Sequence, residues 1–351
     1  MIPIYKPFMP DNLMPELNEI LYSGQLSYGK YGKQFEQKLK EYIGCEYLIT
    51  ISSYNTAMLV VLTTLGLRPG DEIIASPVSC LASNQPFVTK GLKVIWADII
   101  PKTGTLCPTD VKSKINKNTK AIFHNHFCGY VGEITEINDL GKKFGVPIID
   151  DGIEGFSAEY NGRKLGNLDT DLTIFSFQTV RLPNTIEGGA LVFKDKALYE
   201  KAVLIRDYGI DRSKFRCTSG EINPDCDVIS EGFGGLMNEV NSYIGIRQLT
   251  SIQQLLDRQR KNAKIWDKIF KGKSEVTPVQ VTQGSLPNYW IYGLLSNNKR
   301  DVIDKFRNQG YYATGVHLNN NLYSVFKNKQ KLKGVDDFIN KFLAIPSGWW
   351  L

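Results

Sequence analysis

The chain has 351 residues, of which 42% are hydrophobic and 22% charged, and this length predicts two domains or one large domain with an appendage. Its 42 basic and 36 acidic side chains give a formal net charge of +6 without a long run of like charges, which argues against nucleic-acid binding. The six cysteines form no C-x-x-C pair and no apolar run is long enough to span a membrane, so we expect a reduced cytoplasmic protein without a zinc site.

Taken in chain order, the predicted elements alternate between strands and helices. A strongly apolar helix over 56–65 is followed by the turn GLRPGDE and a strand in IIAS (73–76). A helix with its apolar side chains on one face is predicted over 134–144, and further apolar strands are predicted within 91–99, 121–126, 146–150, 172–177 and 189–193. Short apolar strands joined by helices predict an α/β fold with a mostly parallel sheet covered on both faces.

The character of the sequence changes near residue 249. A long charged helix, QLTSIQQLLDRQRKNAKIWDKIF (248–270), is followed by mixed helix and strand patterns. We therefore predict a large domain over 1–248 and a smaller C-terminal α/β domain over 249–351.

Ligands of open α/β sheets bind at the carboxyl ends of the strands, and three polar groups are predicted there. The first is SSYNTA (52–57), a strand-to-helix junction. Its amides and the hydroxyls of Ser53 and Thr56 lie at the positive end of a helix, which suits a phosphate. Serine and threonine are also ordinary N-caps, so both interpretations stay open on this pattern alone.

The other two polar groups follow buried strands. Asp150 and Asp151 end the strand VPIID, and because adjacent strand residues point to opposite faces, we expect one carboxylate in the core and the other in the cleft. A simple capping role is the alternative. Ser176, Gln178 and Arg181 follow the strand LTIF, where an arginine is typical of a salt bridge or an anion clamp.

Histidines are scarce, with three in the chain. His124 and His126 flank Asn125 at the end of a predicted strand. Without a cysteine or a further histidine at metal-ligand spacing, this pair is a weak signal, and we expect no metal site.

Together these segments resemble the DegT/DnrJ/EryC1/StrS family of sugar aminotransferases, which are fold type I enzymes that depend on pyridoxal 5′-phosphate (PLP). The resemblance covers nearly the whole chain and is carried by SGQLSYGKYGKQFEQKLKEYIG, LGLRPGDEII, IIDDGIEGFSAEYNGRKLGNLDTDLTIFSF and IEGGALVF. It implies the fold type I architecture, activity on keto sugars attached to nucleotides, and a homodimer, since family active sites lie between subunits.

The resemblance also implies roles for individual residues. Asp151 would pair with the pyridine nitrogen of the cofactor and keep it protonated. Glu154 occupies the position of a glutamine or histidine that contacts the ring hydroxyl, and Cys80 the position of an aromatic residue that stacks on the ring. The resemblance assigns contacts with the cofactor phosphate and its surroundings to Ser53, Asn55, Thr56, Ser176 and Gln178.

Arg181 is the most consequential departure from the family pattern. It lies five residues after Ser176, at the position of the lysine that forms a Schiff base with PLP. That bond needs a neutral primary amine, whereas a guanidinium has no free amine and stays protonated. The resemblance with this exchange predicts that PLP or pyridoxamine 5′-phosphate (PMP) is held non-covalently and that ordinary transamination is severely impaired.

A second motif also departs from the family. A stretch of the type G-Y-N-Y-R-M, which lends an asparagine and an arginine to the neighbouring subunit's site, reads GFGGLM (232–237) here. Gly234 and Leu236 therefore replace both polar side chains. Because several site positions have changed together, a lineage with a different task is favoured over an isolated engineered exchange at Arg181.

Three interpretations of function follow. The favoured one is a PLP- or PMP-binding enzyme of surface-polysaccharide or deoxyaminosugar biosynthesis that acts on a nucleotide-linked keto-deoxysugar, with Arg181 clamping a phosphate or the carboxylate of an amino donor such as glutamate. The second is a PMP-dependent dehydratase or eliminase with Glu154 as its base, and the third is an inactive relative that binds a nucleotide sugar. Further candidate substrate contacts are Tyr208, Arg212, Arg216 and His317.

Overall fold

The computed structural model describes residues 1–351 as an α/β protein. The strands are β1 (Tyr47–Ile51), β2 (Glu72–Ala75), β3 (Lys93–Trp96), β4 (Thr119–Asn125), β5 (Ile148–Asp151), β6 (Glu159–Tyr160), β7 (Arg163–Lys164), β8 (Leu172–Ser176), β9 (Gly189–Phe193), β10 (Thr277–Pro278), β11 (Ser285–Leu286), β12 (Tyr292–Leu295) and β13 (Phe342–Ile345). The helices are α1 (Met14–Tyr22), α2 (Lys30–Ile43), α3 (Tyr54–Thr64), α4 (Leu81–Thr89), α5 (Pro108–Lys114), α6 (Ile134–Phe144), α7 (Lys196–Ile205), α8 (Glu239–Phe270), α9 (Lys299–Asn308) and α10 (Lys333–Lys341).

The main sheet has seven strands in the order β1-β9-β8-β5-β4-β2-β3. The five strands from β8 to β3 are parallel, while β9 runs antiparallel to both of its neighbours. The prediction of an α/β fold with a mostly parallel sheet is therefore confirmed. Because β4, β5 and β8 are parallel neighbours, their carboxyl ends lie together at one edge of the sheet, where the candidate site is built.

Both faces of the sheet are covered, because successive side chains of each strand point in opposite directions. Ile174 of β8 packs into a core with apolar residues of α3, α4 and α7. The next residue, Phe175, packs on the other face with Phe35 of α2. Phe35 in turn lies against Gly245 of α8, where a Cβ atom would collide with its ring, so a glycine permits this close approach of the two helices.

The predicted elements are all present, with shifted ends. Helix α3 begins at Tyr54 because the Ser53 side chain caps it, and α8 begins at Glu239 rather than at residue 248 because Asn238 caps it with a hydrogen bond from the Asn241 amide (2.8 Å). No helix combines the length and the apolar character that crossing a membrane requires.

A second, smaller sheet in the order β10-β12-β13 lies in the C-terminal part of the chain. Its apolar core contains Tyr292 and Leu343 together with Phe270 of α8 and Phe306 of α9. The predicted domain limit at 248/249 lies inside the continuous helix α8, so the two regions share this helix, and the division into domains stays a prediction.

Candidate active site

Asp151 ends β5 and is completely buried at the carboxyl edge of the sheet. Its Oδ1 accepts hydrogen bonds from the Tyr54 hydroxyl (2.8 Å) and the Ile153 amide (3.1 Å), whereas its Oδ2 has no partner. Burial raises the pKa of Asp151 to about 6. A buried carboxylate oxygen without a donor suits a cationic N–H group such as a protonated pyridine nitrogen, so this residue fits the cofactor that the resemblance implies.

Asp150 points to the opposite face, as the alternation along a strand predicts. Its Oδ1 lies 3.0 Å from Nδ1 of His124 and 3.4 Å from Nε2 of His126. Burial acts to raise the pKa of Asp150, but the contacts with the two histidines lower it well below its usual range. Asp150 is thus the core carboxylate and Asp151 the one available to a ligand.

The cluster of His124, His126 and Asp150 has the donor atoms of a small metal site. However, Nδ1 of His126 accepts a hydrogen bond from the Gly132 amide (3.1 Å). A neutral imidazole that binds a metal through Nε2 carries its proton on Nδ1, where it would face that N–H group. This geometry does not suit metal binding through Nε2 of His126, and the expectation of no metal site stays a prediction.

Ser53 and Thr56 lie at the start of α3. The Ser53 hydroxyl accepts from the Thr56 amide (3.1 Å) and lies 2.9 Å from the Thr56 hydroxyl, so Ser53 is an N-cap. Asn55 is exposed beside them. Capping and phosphate binding use the same end of a helix, and the assignment of these residues to a phosphate stays a prediction.

Ser176 and Gln178 follow β8. The Ser176 hydroxyl is buried and accepts a long hydrogen bond from the Gln178 amide (3.4 Å), while the Gln178 side chain is exposed. The Gln178 carbonyl accepts from the Arg181 amide (2.8 Å), and this turn directs Arg181 back toward β5. The roles of Ser176 and Gln178 toward a cofactor stay predictions.

Arg181 is 7% exposed and lies between a carboxylate and an aromatic ring. Its Nη1 lies 3.5 Å from Oε1 of Glu154, and its Cζ lies 4.5 Å from the centre of the Trp290 ring. The Trp290 indole is fixed by a hydrogen bond to the Val180 carbonyl (2.9 Å). Nε of Arg181 is buried without a partner, so the guanidinium retains a donor for a further anionic group.

Glu154 is the anionic centre of the site, with a side chain that is 2% exposed. Its Oε2 accepts from the Cys128 amide (2.6 Å), and its Oε1 lies 3.1 Å from Nε2 of His317 as well as 3.5 Å from Arg181. Burial acts to raise the pKa of Glu154, but the hydrogen bond of His317, the charges of His317 and Arg181 and the Cys128 amide lower it. Glu154 is therefore held as a carboxylate.

Two thiols adjoin this network. Burial raises the pKa of both Cys80 and Cys128, and the charge of Glu154 raises each further. Both therefore remain neutral thiols at pH 7. Cys80 is half-buried immediately before α4, and its predicted place against a cofactor ring stays a prediction.

Among the four candidate substrate contacts, only His317 meets Glu154. Arg212 instead pairs with Asp207 through two hydrogen bonds of 2.5 and 2.6 Å and lines a separate cleft of about 510 Å³, and Arg216 donates to the Gly220 carbonyl (2.7 Å). Tyr208 is 59% exposed, and its hydroxyl occupies the space into which a Cβ atom at Gly234 would project.

The structure adds site residues that the sequence pattern did not single out. Tyr54 donates to Asp151 and Trp290 stacks on Arg181. Asn288 donates to the Glu154 and Phe156 carbonyls (2.7 and 3.0 Å) and so fixes the loop after β5. Tyr54 lies inside the SSYNTA segment (52–57), which the sequence pattern already marks as a ligand-binding candidate. No local signal marks Trp290 or Asn288, which lie in the C-terminal part of the chain.

No lysine amine takes part in the hydrogen bonds or ion pairs of Asp151, Glu154, Ser176 or Arg181. The small cavity bounded by Glu154, Arg181 and Trp290 is likewise lined without a lysine. The side chains in contact with Arg181 are thus an acid and an indole.

Comparison with known proteins agrees with this architecture. The chain is 27% identical over 339 residues to the UDP-4-amino-4,6-dideoxy-N-acetyl-beta-L-altrosamine transaminase of Helicobacter pylori, covering 93% of this chain and 88% of that protein. It is 28% identical over 303 residues to the GDP-perosamine synthase of Escherichia coli O157:H7, covering 86% and 79%. The sugar aminotransferase CalS13 of Micromonospora echinospora superposes with a TM-score of 0.94 at 26% identity, covering 100% and 96%.

The match to a family model is nearly complete in length, because it runs from residue 9 to residue 349. It takes in every element that builds the site, from Ser53 at the start of α3 to His317 before α10. The chain therefore belongs to the DegT/DnrJ/EryC1/StrS aminotransferase family.

Proposed function

We propose that this protein holds PLP or PMP without a covalent bond and acts on a nucleotide-linked keto-deoxysugar. Two features together carry the proposal. Asp151 has a free, buried carboxylate oxygen, and Arg181 places a permanently cationic guanidinium where a covalent bond to PLP would need an amine. The relatives named above support the substrate class, because one is named a UDP-sugar transaminase and the other a GDP-sugar synthase.

Different residues of this chain would bind different parts of the cofactor and the substrate. Asp151 would hold the proton on the ring nitrogen, and the α3 N-terminus with Ser53 and Thr56 would receive the phosphate. When bound, such a cofactor supplies a protonated ring that withdraws electrons from a neighbouring bond. Arg181, which retains a free Nε donor, would bind an anionic group of the substrate or of an amino donor such as glutamate.

A homodimer is part of the proposal. Asn55 and Gln178, two of the predicted cofactor contacts, are exposed in the single chain. Apolar side chains close in sequence to the site residues Cys80 and His317 are exposed as well, among them Leu81 (41%), Leu318 (59%) and Leu322 (55%). A second copy that covers this surface would bury both sets and complete the site.

A PMP-dependent dehydratase or eliminase is a second candidate. The contact between Glu154 and His317 favours it, because an elimination needs a proton-transfer group but no Schiff-base lysine. An inactive relative that only binds a nucleotide sugar is less well supported, since a protein without a pyridine ring to bind has little use for the free Asp151 oxygen.

Titration calorimetry of the purified chain with PLP, PMP, UDP and GDP tests the proposal. We expect saturable binding of PLP or PMP at one site per chain, and tighter binding of one nucleotide once the cofactor is present. Retention of the cofactor through gel filtration and its release on denaturation would support non-covalent binding. Failure of both PLP and PMP to bind at millimolar concentration would contradict the proposal and favour the inactive relative.

A further inference from the structure

We infer that His317, oriented by Glu154, is the group that donates and accepts protons at this site, in place of the absent amine. The inference rests on the proposed function, because it names the acid–base group of that same site. It starts from the contact of 3.1 Å between Nε2 of His317 and Oε1 of Glu154.

Asp151, whose pKa is raised to about 6, is completely buried and is assigned to the ring nitrogen of the cofactor, so it is not free to exchange protons with a reactant. The other ionisable groups at the site are poorly suited to exchange protons at neutral pH. Arg181 stays cationic, and Glu154 has both carboxylate oxygens engaged by donors. Burial keeps Tyr54 and the thiols of Cys80 and Cys128 in their neutral forms by raising the pKa of each. Histidine is the residue type that ordinarily titrates near neutrality, and one histidine lies in this network.

The hydrogen bond to Glu154 fixes which nitrogen is free. A carboxylate can only accept, so Nε2 of His317 carries the proton that faces Glu154, and in the neutral form of the ring Nδ1 is left with an unshared electron pair. Nδ1 has no hydrogen-bond partner, and the His317 side chain is 21% exposed compared with 2% for Glu154. A carboxylate behind a histidine holds the ring in one tautomer and stabilises the cation that forms when the other nitrogen takes a proton.

The backbone before His317 is strained in a way that positions the ring. Val316 has a φ of +61°, a left-handed conformation that is costly for a β-branched residue. The turn is closed by a hydrogen bond from the His317 amide to the Gly315 carbonyl (2.7 Å), and the Phe127 ring packs edge-on at 6.1 Å from the imidazole. Such strain persists where surrounding contacts enforce it and is frequent at functional sites.

The ionisable groups around His317 come from four elements. Glu154 follows β5 and Arg181 follows β8, while the neutral thiol of Cys128 follows β4. Lys299 of α9 lies behind the turn, with its Nζ 3.0 Å from the position of a Cβ atom at Gly315. The positive charges of Arg181 and Lys299 disfavour the protonated imidazole of His317, and the negative charge of Glu154 is the one that stabilises it.

The proton transfer is balanced within the site. A C–H or O–H bond of the bound reactant breaks as the Nδ1–H bond of His317 forms, and the electron pair stays on the reactant. Nε2 keeps its proton toward Glu154, whose charge offsets that of the imidazolium. Return of the proton from Nδ1 to another atom of the reactant restores the neutral ring.

The tautomer of His317 can be tested without a cofactor by nitrogen-15 NMR of labelled histidines. The chain contains only three histidines, and the other two, His124 and His126, are buried, so the His317 signals can be assigned. We expect the Nε2–H tautomer for His317 in the unchanged chain and a mixture of tautomers in Glu154→Gln. A predominant Nδ1–H tautomer in the unchanged chain would overturn the inference.

The transfer itself can be followed as deuterium uptake from D₂O at the α carbon of added L-glutamate in the PLP-loaded protein. We expect His317→Ala to slow uptake by about 100-fold, added imidazole to restore part of the rate, and PLP affinity to change less than about threefold. Unchanged uptake at normal PLP affinity would overturn this inference alone. Absence of PLP binding to the unchanged chain would overturn the proposed function, and this inference with it.

Discussion

Replacement of Asp151 by asparagine is expected to weaken PLP binding by about 10- to 100-fold. The unpartnered Oδ2 of Asp151 is buried, and a hydrogen bond between charged partners in such a place contributes about 1.5–3 kcal/mol. Asparagine keeps an oxygen for the Tyr54 hydroxyl and the Ile153 amide, but it offers an N–H group where the ring nitrogen needs an acceptor.

The same exchange should stabilise the cofactor-free chain. The pKa of Asp151 in the folded chain is about 6, above the ordinary value of about 4. Its contribution to the free energy of unfolding is therefore fully present below about pH 4 and is lost as the pH rises through 6, a change of about 3 kcal/mol. Asp151→Asn lacks this loss, so its stability relative to the unchanged chain should rise between pH 4 and pH 7.

Urea unfolding at several pH values, with PLP titrations beside it, measures both effects. Asp150→Asn is the matched control, because Asp150 lies on the opposite face and its pKa is lowered by the contacts with His124 and His126. Its contribution is present above its ordinary pKa and lost as the pH falls, the reverse of Asp151. Unchanged PLP affinity in Asp151→Asn would show that the ring does not meet this carboxylate.

Arg181→Lys should permit a covalent PLP adduct, but the single exchange is expected to work poorly. Glu154 lies 3.5 Å from the Arg181 guanidinium, and its carboxylate would favour the charged ammonium form of a lysine there. The double variant Arg181→Lys, Glu154→Gln removes that charge. Since a neighbouring charge shifts a pKa by about 1–3 units, the double variant should form the adduct at least about 10-fold faster at pH 7.

The adduct is measured by its visible absorbance and by borohydride trapping. Thr179→Lys serves as the control, because position 179 lies in the same turn with an exposed side chain and no predicted cofactor contact, and it should give no stoichiometric adduct. Equal rates in the single and double variants would show that Glu154 does not set the charge at position 181. No adduct in either would mean that PLP does not bind beside this residue.

Much of the fold follows from local patterns. The short apolar strands, the apolar face over 134–144 and the opposite orientation of Asp150 and Asp151 are consequences of backbone periodicity, and the structure shows them as predicted. Helix ends were less predictable. Helix α8 begins at Glu239, well before residue 248, because Asn238 caps it, and the sequence around this cap has no clear apolar periodicity to mark a helix start.

The site network could not be predicted in the same way, because its contacts join distant parts of the chain. Glu154 meets His317 across 163 positions, and Trp290, which packs into the main core, is brought against Arg181 by the fold. The sequence alone therefore offered Glu154 and His317 as separate candidates, and their pairing required the fold. The predicted exchange at Arg181 rests on local spacing, because five residues separate Arg181 from Ser176.

The central claim is that the protein holds its cofactor without a lysine bond, and borohydride reduction of the unchanged chain with stoichiometric PLP tests it most directly. After reduction and proteolysis, mass spectrometry should find no lysine that carries a pyridoxyl group at stoichiometric level, and denaturation before reduction should release the cofactor intact. One lysine modified in nearly every chain would contradict the account, and the protein would then be an ordinary covalently loaded aminotransferase.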